Sequence, residues 1–135
     1  MKHLLITTLA SLILAGNISL LADDKPAAPF VKNVKVEEAD KLLHENKKII
    51  ILDVRKPDEF AEGHIAGAKN LSFYSADFEK QLSALDKSQT YLVHCAAGGR
   101  SAKTRDLMTK LQFQAIYHLD GGLNAWKEAG KPVEK

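Results

Sequence analysis

The sequence predicts an α/β fold with a mostly parallel sheet, and three observations support this. Short apolar runs at 49–52, 91–93 and 115–119 alternate with segments whose apolar residues recur at helical spacing. The runs are largely unbroken, as expected for strands that are buried on both faces of a parallel sheet. The composition, 45% hydrophobic and 27% charged over 135 residues, is that of one globular domain.

The first 22 residues are typical of an export signal. Lys2 and His3 precede an apolar run without charged residues, which ends at the small residue Ala22. Several polar residues within the run make it a weak membrane span, although a retained anchor is the alternative. A short Lys-containing signal without a lipobox cysteine favours the bacterial periplasm. We therefore expect a signal peptide over 1–22, cleaved after Ala22, and no stable membrane insertion afterwards.

An extended linker and a first helix are predicted to follow the signal. Residues 23–33 contain Pro26 and Pro29 among Ala and Lys, a composition typical of linkers, so the ordered domain is expected over 34–130. Within 36–43 the apolar residues recur at helical spacing, and two glutamates near the start favour a helix N-terminus. The first helix is therefore expected there.

The remaining elements are predicted to alternate between strand and helix, and a short C-terminal tail follows them. In chain order they are a strand over 49–52, a helix around Phe78, Leu82 and Leu85, a strand over 91–93, a helix carrying Thr104, Leu107, Met108 and Leu111, a strand over 115–119, the closing segment 121–126 and the tail 131–135. This alternation is what predicts parallel pairing.

Two clusters of polar residues come directly after predicted strands. Asp53 and Arg55 follow the first strand, and His94 and Cys95 follow the second. Open parallel sheets bind ligands outside the carboxyl ends of their strands, so we expect the functional site at this edge. His94 would alternate away from Cys95 on a strand and is expected to have no direct role.

The strongest functional signal is the segment Cys95-Ala96-Ala97-Gly98-Gly99-Arg100-Ser101, which leads into a predicted helix. Small residues let the backbone curl so that successive N–H groups point inward, which makes an anion-binding nest at a helix N-terminus. The nest and Arg100 favour ionisation of Cys95 and its use as a nucleophile, and Arg100 can also fork two N–H groups onto a substrate oxyanion. The alternative is a buried, inert cysteine beside a glycine-rich turn.

The composition argues against several other kinds of site. Cys95 is the only cysteine, so an internal disulfide is impossible and its thiol stays unpaired. Five histidines without a close cluster of ligands do not support a metal site. A net charge of +2, with lysines scattered among acidic residues, does not support nucleic-acid binding.

Three spaced motifs resemble those of one known family, the single-domain form of the rhodanese sulfurtransferases. The segment 95–100 resembles the family's six-residue active-site loop. The family's first signature is similar to Leu52-Asp53-Val54-Arg55, Glu59-Phe60 and Gly63 to Asn70 of this chain, and the family's closing signature is similar to Asp120 to Trp126. The resemblance implies a five-stranded doubly wound sheet with helices on both faces, and no cofactor.

The resemblance also implies a sulfur-transfer chemistry. Cys95 would form a persulfide and carry sulfane sulfur from a donor such as thiosulfate to a thiophilic acceptor such as cyanide or a thiol, which could belong to a protein. The residues expected to bind the substrate are Ala96, Ala97, Gly98, Gly99, Arg100 and Arg55, and those expected to support the site are Asp53, Ser101 and His64.

Two of these residues have a second interpretation. Arg55 could pair with Asp53 and pin the loop after the first strand instead of touching substrate. His64 could be a catalytic base, but a persulfide needs no base if the loop already stabilises the thiolate. We therefore expect His64 to cap a loop.

Two other functions stay open on the sequence. A phosphatase or arsenate reductase of related fold also carries His-Cys, small residues and Arg-Ser, but such enzymes resemble Cys-x5-Arg, whereas only four residues separate Cys95 from Arg100 here. A non-catalytic module for binding or sensing sulfur is the second alternative. Such modules typically lack the nucleophile that this chain retains.

Overall fold

Five parallel strands form the centre of the fold. The computed structural model describes residues 27–135, so the predicted signal peptide and its cleavage site lie outside the described residues. The strands are β1 (Phe30–Val34), β2 (Ile50–Asp53), β3 (Lys69–Asn70), β4 (Thr90–His94) and β5 (Ala115–Leu119), in the sheet order β1-β5-β4-β2-β3. All neighbouring strands pair in parallel, which confirms the predicted α/β class with a parallel sheet.

Helices cover both faces of this sheet. They are α1 (Val36–Glu45), α2 (Pro57–Glu62), α3 (Phe78–Ser83), α4 (Gly99–Lys110) and α5 (Gly122–Glu128). One core cluster joins α3 and α4 to alternate residues of β4 such as Tyr91 and Val93. The other joins α1 and α5 to the intervening residue Leu92. Successive side chains of a strand point to opposite faces, so these two clusters place the core on both sides of the sheet.

Residues 27–135 contain no helix of the length and apolarity that crossing a bilayer demands.

The predicted linker is wrong at its C-terminal end. Residues 30–33 belong to β1, which pairs with β5 from Phe30 opposite Ala115 to Val34 opposite Leu119. β1 lies at the edge of the sheet, and of its five residues only Val34 is buried. An edge strand that buries one side chain has no apolar pattern, which is why composition suggested a linker.

The C-terminal tail returns to the domain. The indole N–H of Trp126 donates to the carbonyl of Pro132 at 2.9 Å, and Lys131 Nζ lies 2.8 Å from a carboxylate oxygen of Asp40 in α1. Glu134 forms an antiparallel bridge with His64 through two backbone hydrogen bonds of 2.8 Å. These contacts hold the tail 131–135 against α1, α5 and the segment after α2.

We predict that Phe113→Ala lowers the free energy of unfolding by about 3–5 kcal/mol. Phe113 is fully buried and packs edge-on against Tyr91, with ring centroids 5.4 Å apart, so the truncation removes core contacts and leaves a cavity. The matched control is Phe30→Ala, at a ring that is 50% exposed on β1, with an expected cost of about 1 kcal/mol or less. Urea unfolding measures both variants, and equal losses would contradict this account of the core.

Candidate active site

Cys95 lies directly after β4, at the carboxyl edge of the sheet, and its side chain is buried. The chain then turns into α4 at Gly98, whose φ of 117° lies in the left-handed region that favours glycine. This turn aims the Gly98 N–H at the Cys95 sulfur, 3.1 Å away, and the Ser101 hydroxyl donates to the same sulfur at 3.3 Å. The sulfur is therefore held inside the loop as a hydrogen-bond acceptor.

These donors change the acidity of the thiol. Burial opposes ionisation of Cys95, but the Ser101 hydroxyl and the backbone N–H groups of Ser101, Gly98 and Ala97 outweigh it, so the pKa of Cys95 lies below its ordinary value. Ala96 to Gly99 stay partly or fully exposed around the sulfur. Four of the residues expected to bind substrate, Ala96 to Gly99, therefore form an open backbone cradle beside an activated thiol.

The start of α5 fixes the outer side of this cradle. The backbone N–H groups of Leu123 and Asn124 donate to the carbonyls of Cys95 and Ala96, each at 2.9 Å. The approach is possible because of Gly122, where an added Cβ would lie only 2.5 Å from both carbonyl oxygens. With its carbonyls bound outward, the loop is free to turn its N–H groups inward.

His118, which was not predicted from the sequence as a site residue, lies behind the loop. His118 Nε2 is 2.8 Å from the Ser101 hydroxyl, and both side chains are buried. The available signal was a polar residue inside the otherwise apolar run 115–119, near the carboxyl end of its strand. Ser101, expected as structural support, thus lies between Cys95 and a second buried polar group.

Arg100, which we expected to bind a substrate oxyanion through two N–H groups, is paired with a carboxylate of the protein in this structure. Its Nη1 and Nη2 donate to the two carboxylate oxygens of Glu59, at 2.7 and 3.1 Å. The Arg100 bond is the main reason that the pKa of Glu59 falls to about 2. Glu59 projects from α2, which begins at Pro57. Any anion that approaches Arg100 therefore meets a carboxylate already bound there.

An exposed aromatic ring completes this rim. The Arg100 guanidinium lies 5.8 Å from the centroid of the Tyr74 ring, and Lys56 Nζ lies 5.5 Å from it. The rim of the site therefore combines two cations, one carboxylate and one aromatic ring.

Arg55, predicted to contact substrate, is buried and bound to other groups of the protein. Its guanidinium is buried and donates to both carboxylate oxygens of Asp53, at distances down to 2.7 Å, to the Gly63 carbonyl at 2.8 Å and to the Glu59 carbonyl at 3.2 Å. Arg55 and Asp53 thus pin the segment around α2, which was the second interpretation of this pair. Two residues apart in sequence, they meet because Arg55 folds back over the strand end.

Two further histidines, His64 and His94, contact the backbone near the site. His64 Nδ1 is 2.9 Å from the Phe60 carbonyl, and its ring stacks on the Phe60 ring with centroids 3.8 Å apart. This places His64 where a loop cap was expected. His94 is fully buried, with Nδ1 3.0 Å from the Cys95 carbonyl, so it contacts the backbone of the loop and not the sulfur.

Known proteins are similar to this chain over the region that forms most of the sheet and the candidate site. The family profile described as "Rhodanese-like domain" matches residues 35–129. Thiosulfate sulfurtransferase 16, chloroplastic, of Arabidopsis thaliana is 33% identical over 93 residues, which cover 62% of this chain and 78% of the relative. Thiosulfate sulfurtransferase GlpE of Stutzerimonas stutzeri is 32% identical over 97 residues, covering 71% and 84% respectively.

The fold is similar to that of a solved structure. The crystal structure of a rhodanese-related protein from Thermoplasma volcanium superposes with a TM-score of 0.68 at 28% identity, covering 76% of this chain and 97% of that one. The α/β sheet with helices on both faces is thus the fold of that structure as well.

We predict that Gly122→Ala disorders the cradle. The new Cβ would meet two carbonyl oxygens at 2.5 Å, so the backbone has to move and the inward N–H groups move with it. We expect a loss of about 2–4 kcal/mol in unfolding free energy and at least about tenfold slower alkylation of Cys95 at neutral pH.

The matched control is Gly130→Ala. Gly130 also has a positive φ, of 73°, but an added Cβ there has nothing within 4 Å. The control should carry the backbone strain of about 1 kcal/mol without slowing alkylation. Similar alkylation rates for both variants would show that the contact with Gly122 does not shape the loop.

Proposed function

Because this chain belongs to the rhodanese family of sulfurtransferases, we propose that it moves sulfane sulfur from thiosulfate or a persulfide donor to a thiol or cyanide through a Cys95 persulfide. The observation that carries the proposal is the Cys95 sulfur itself, an acceptor of hydrogen bonds from Gly98 N–H and the Ser101 hydroxyl. These donors favour a thiolate, which is the nucleophilic form of cysteine.

The proposed reaction has two displacement steps. In the first, the Cys95 thiolate attacks the outer sulfur of thiosulfate, the S–S bond of the donor breaks, and sulfite leaves with the bonding electron pair. In the second, an acceptor thiolate or cyanide attacks the outer sulfur of the persulfide, and Cys95 leaves as a thiolate. Each step exchanges one bond to sulfur for another, so no external oxidant or reductant is needed.

The loop supports both steps in the same way. Negative charge lies on the Cys95 sulfur before the first step and develops there again as it leaves in the second. The donors already in place stabilise this charge without reorganising, which is how preformed N–H groups lower a barrier. These donors are backbone N–H groups and the Ser101 hydroxyl, so Ala96 and Ala97 need supply no side-chain chemistry.

The small size of the loop favours sulfur transfer over phosphate-ester or arsenate chemistry. Four residues separate Cys95 from Arg100, and the Gly98 N–H already lies 3.1 Å from the sulfur. A loop closed this tightly around one sulfur suits a single outer sulfur better than a tetrahedral oxyanion. The non-catalytic alternative is disfavoured by the retained, activated thiol.

We further propose that the protein acts in the periplasm after cleavage behind Ala22. The support is the apolar, uncharged run that follows Lys2. The partners proposed are small sulfur donors and a cyanide or thiol acceptor, which could be a thiol of another protein. Cell fractionation and the N-terminal sequence of the purified mature chain test this, and a cytoplasmic chain that begins at Met1 would overturn it.

We predict that Cys95→Ser abolishes sulfur transfer and leaves the fold intact. The substitution is nearly isosteric, but a serine hydroxyl is a poor nucleophile towards sulfane sulfur, and the chain has no second cysteine. Mass spectrometry after thiosulfate treatment should show one added sulfur on the wild type, removable by a reductant, and none on the variant. Equal labelling of both proteins would refute the role of Cys95.

We predict opposite effects at the two partners of the rim ion pair. Glu59→Gln removes the carboxylate that occupies Arg100, so KM for anionic thiosulfate should fall by about threefold to tenfold. Arg100→Ala should raise it, because the cation is lost. With a sulfur donor that carries less negative charge than thiosulfate, both changes should be smaller, and a rise in the thiosulfate KM of Glu59→Gln would contradict the proposed competition.

A further inference from the structure

A line of polar side chains leads from Cys95 across the sheet to its edge strand. Ser101 Oγ lies 3.3 Å from the Cys95 sulfur and 2.8 Å from His118 Nε2. On the other side of the imidazole, His118 Nδ1 lies 3.3 Å from Asn33 Oδ1 and 3.4 Å from Arg105 Nη1. The residues come from β1, α4, β5 and the loop after β4, so the tertiary fold alone brings them together.

The guanidinium decides which imidazole nitrogen carries the proton. Arg105 Nη1 donates to Asn33 Oδ1 at 2.8 Å and has a second hydrogen that faces His118 Nδ1. Asn33 Oδ1, 3.3 Å from Nδ1, is a competing acceptor for a proton on that nitrogen, but this oxygen already accepts the shorter Arg105 bond of 2.8 Å. A guanidinium can only donate, so we assign Nδ1 as the acceptor facing Arg105 and place the proton of the neutral imidazole on Nε2. The Nε2–H then donates to the Ser101 hydroxyl oxygen.

This donation directs the single hydroxyl proton of Ser101. That proton has two acceptors within reach besides His118, the Cys95 sulfur at 3.3 Å and the Gly98 carbonyl at 3.2 Å. While Nε2 donates to the oxygen, the hydroxyl cannot donate back to His118. Its proton is then left for the loop, where the thiolate is the acceptor with the larger negative charge.

Burial and the charge of Arg105 favour the neutral imidazole. Burial, followed by the positive charge of Arg105, holds the pKa of His118 below its ordinary value, against the opposing carboxylates of Asp120 and Asp106 and a hydrogen bond with the Gly98 backbone. Arg105 and Asp106 belong to α4, and Asp120 follows β5. Facing Cys95 itself are the donors of its loop and the charge of Arg100, which is paired with Glu59.

We propose that His118 is a positioning residue for the nucleophile: held by Arg105, it donates Nε2–H to Ser101 and so directs the Ser101 hydroxyl proton onto the Cys95 sulfur. The proposal rests on the proposed function for the role of Cys95 as nucleophile. The hydrogen-bond chain itself is independent of which sulfur donor or acceptor the protein uses.

The decisive measurement is the rate of Cys95 alkylation by iodoacetamide as a function of pH, without any sulfur donor. Cys95 is the only cysteine, so the rate reports one thiol. Ser101→Ala and His118→Met each remove one donor of the chain. Both should move the midpoint of the profile to higher pH and slow alkylation at neutral pH by about fivefold to tenfold.

The matched variant is His118→Gln, whose amide N–H can reach the place of Nε2–H and cannot titrate in this range. It should alkylate within about twofold of the wild type. Because His118 acts through Ser101, adding His118→Met to Ser101→Ala should slow the reaction little further. A midpoint for His118→Gln as high as that of His118→Met, or a full second loss in the double variant, would overturn the proposal.

A measurement on the wild type covers the case in which a variant fails to fold. Long-range ¹H–¹⁵N NMR spectra of the protein report which ring nitrogen of His118 is protonated. Protonation at Nε2 supports the proposal, and protonation at Nδ1 would refute it, because Ser101 would then have to donate to His118.

A steady-state assay separates positioning from structural damage. With thiosulfate and cyanide, kcat/KM of His118→Met should recover towards the wild-type value as pH rises and Cys95 ionises without help. A loss that stays constant with pH would indicate a structural defect and contradict the proposal. If the wild type transferred no sulfur, the proposed function would fail, while the alkylation and NMR results would still decide the role of His118.

Discussion

The rest of the site depends on one constraint, the hydrogen bonding of the loop after β4 to the start of α5. Two N–H groups at the start of α5 hold the carbonyls of Cys95 and Ala96, and Gly122 permits the close approach. A peptide unit whose carbonyl is bound on one side presents its N–H on the other, so the loop collects donors around the sulfur. The lowered pKa of the Cys95 thiol thus depends on the Ser101 hydroxyl and on the backbone N–H groups that this geometry turns towards the sulfur.

Two ion pairs at different depths organise the region around this loop. Asp53 and Arg55 are both buried, and the spare donors of Arg55 bind carbonyls at Glu59 and Gly63. Buried charges of this kind persist only when their hydrogen bonds are satisfied, and here they fix the position of α2. Glu59 then carries its carboxylate from α2 to Arg100, so the buried pair places one partner of the rim pair.

The rim and the interior supply different properties to the same sulfur. Outside, the Glu59–Arg100 pair and Tyr74 present charges and an aromatic ring to any molecule that approaches the loop. Inside, Ser101 and His118 are shielded from solvent, where a hydrogen bond is stronger and an unpaired polar group costs more than in water. Under the proposed function, selectivity for charged sulfur donors would depend on rim groups that solvent screens, whereas the acidity of the thiol depends in part on side chains that solvent does not reach.

The sequence by itself determined the parallel sheet, the helices on the long periodic segments and the loop with Cys95 at a strand end, because each is a local pattern of apolar residues or small residues. It could not reveal β1, an edge strand with one buried side chain, nor the partners of Arg55 and Arg100. Only the tertiary structure decided those pairings, and it alone placed His118 beside Ser101, 17 positions away in the chain. The reason is physical. The spacing of apolar residues along the chain shows which residues of a helix or strand are buried. The partner of a charged or polar group is instead the group that tertiary packing brings within hydrogen-bond distance.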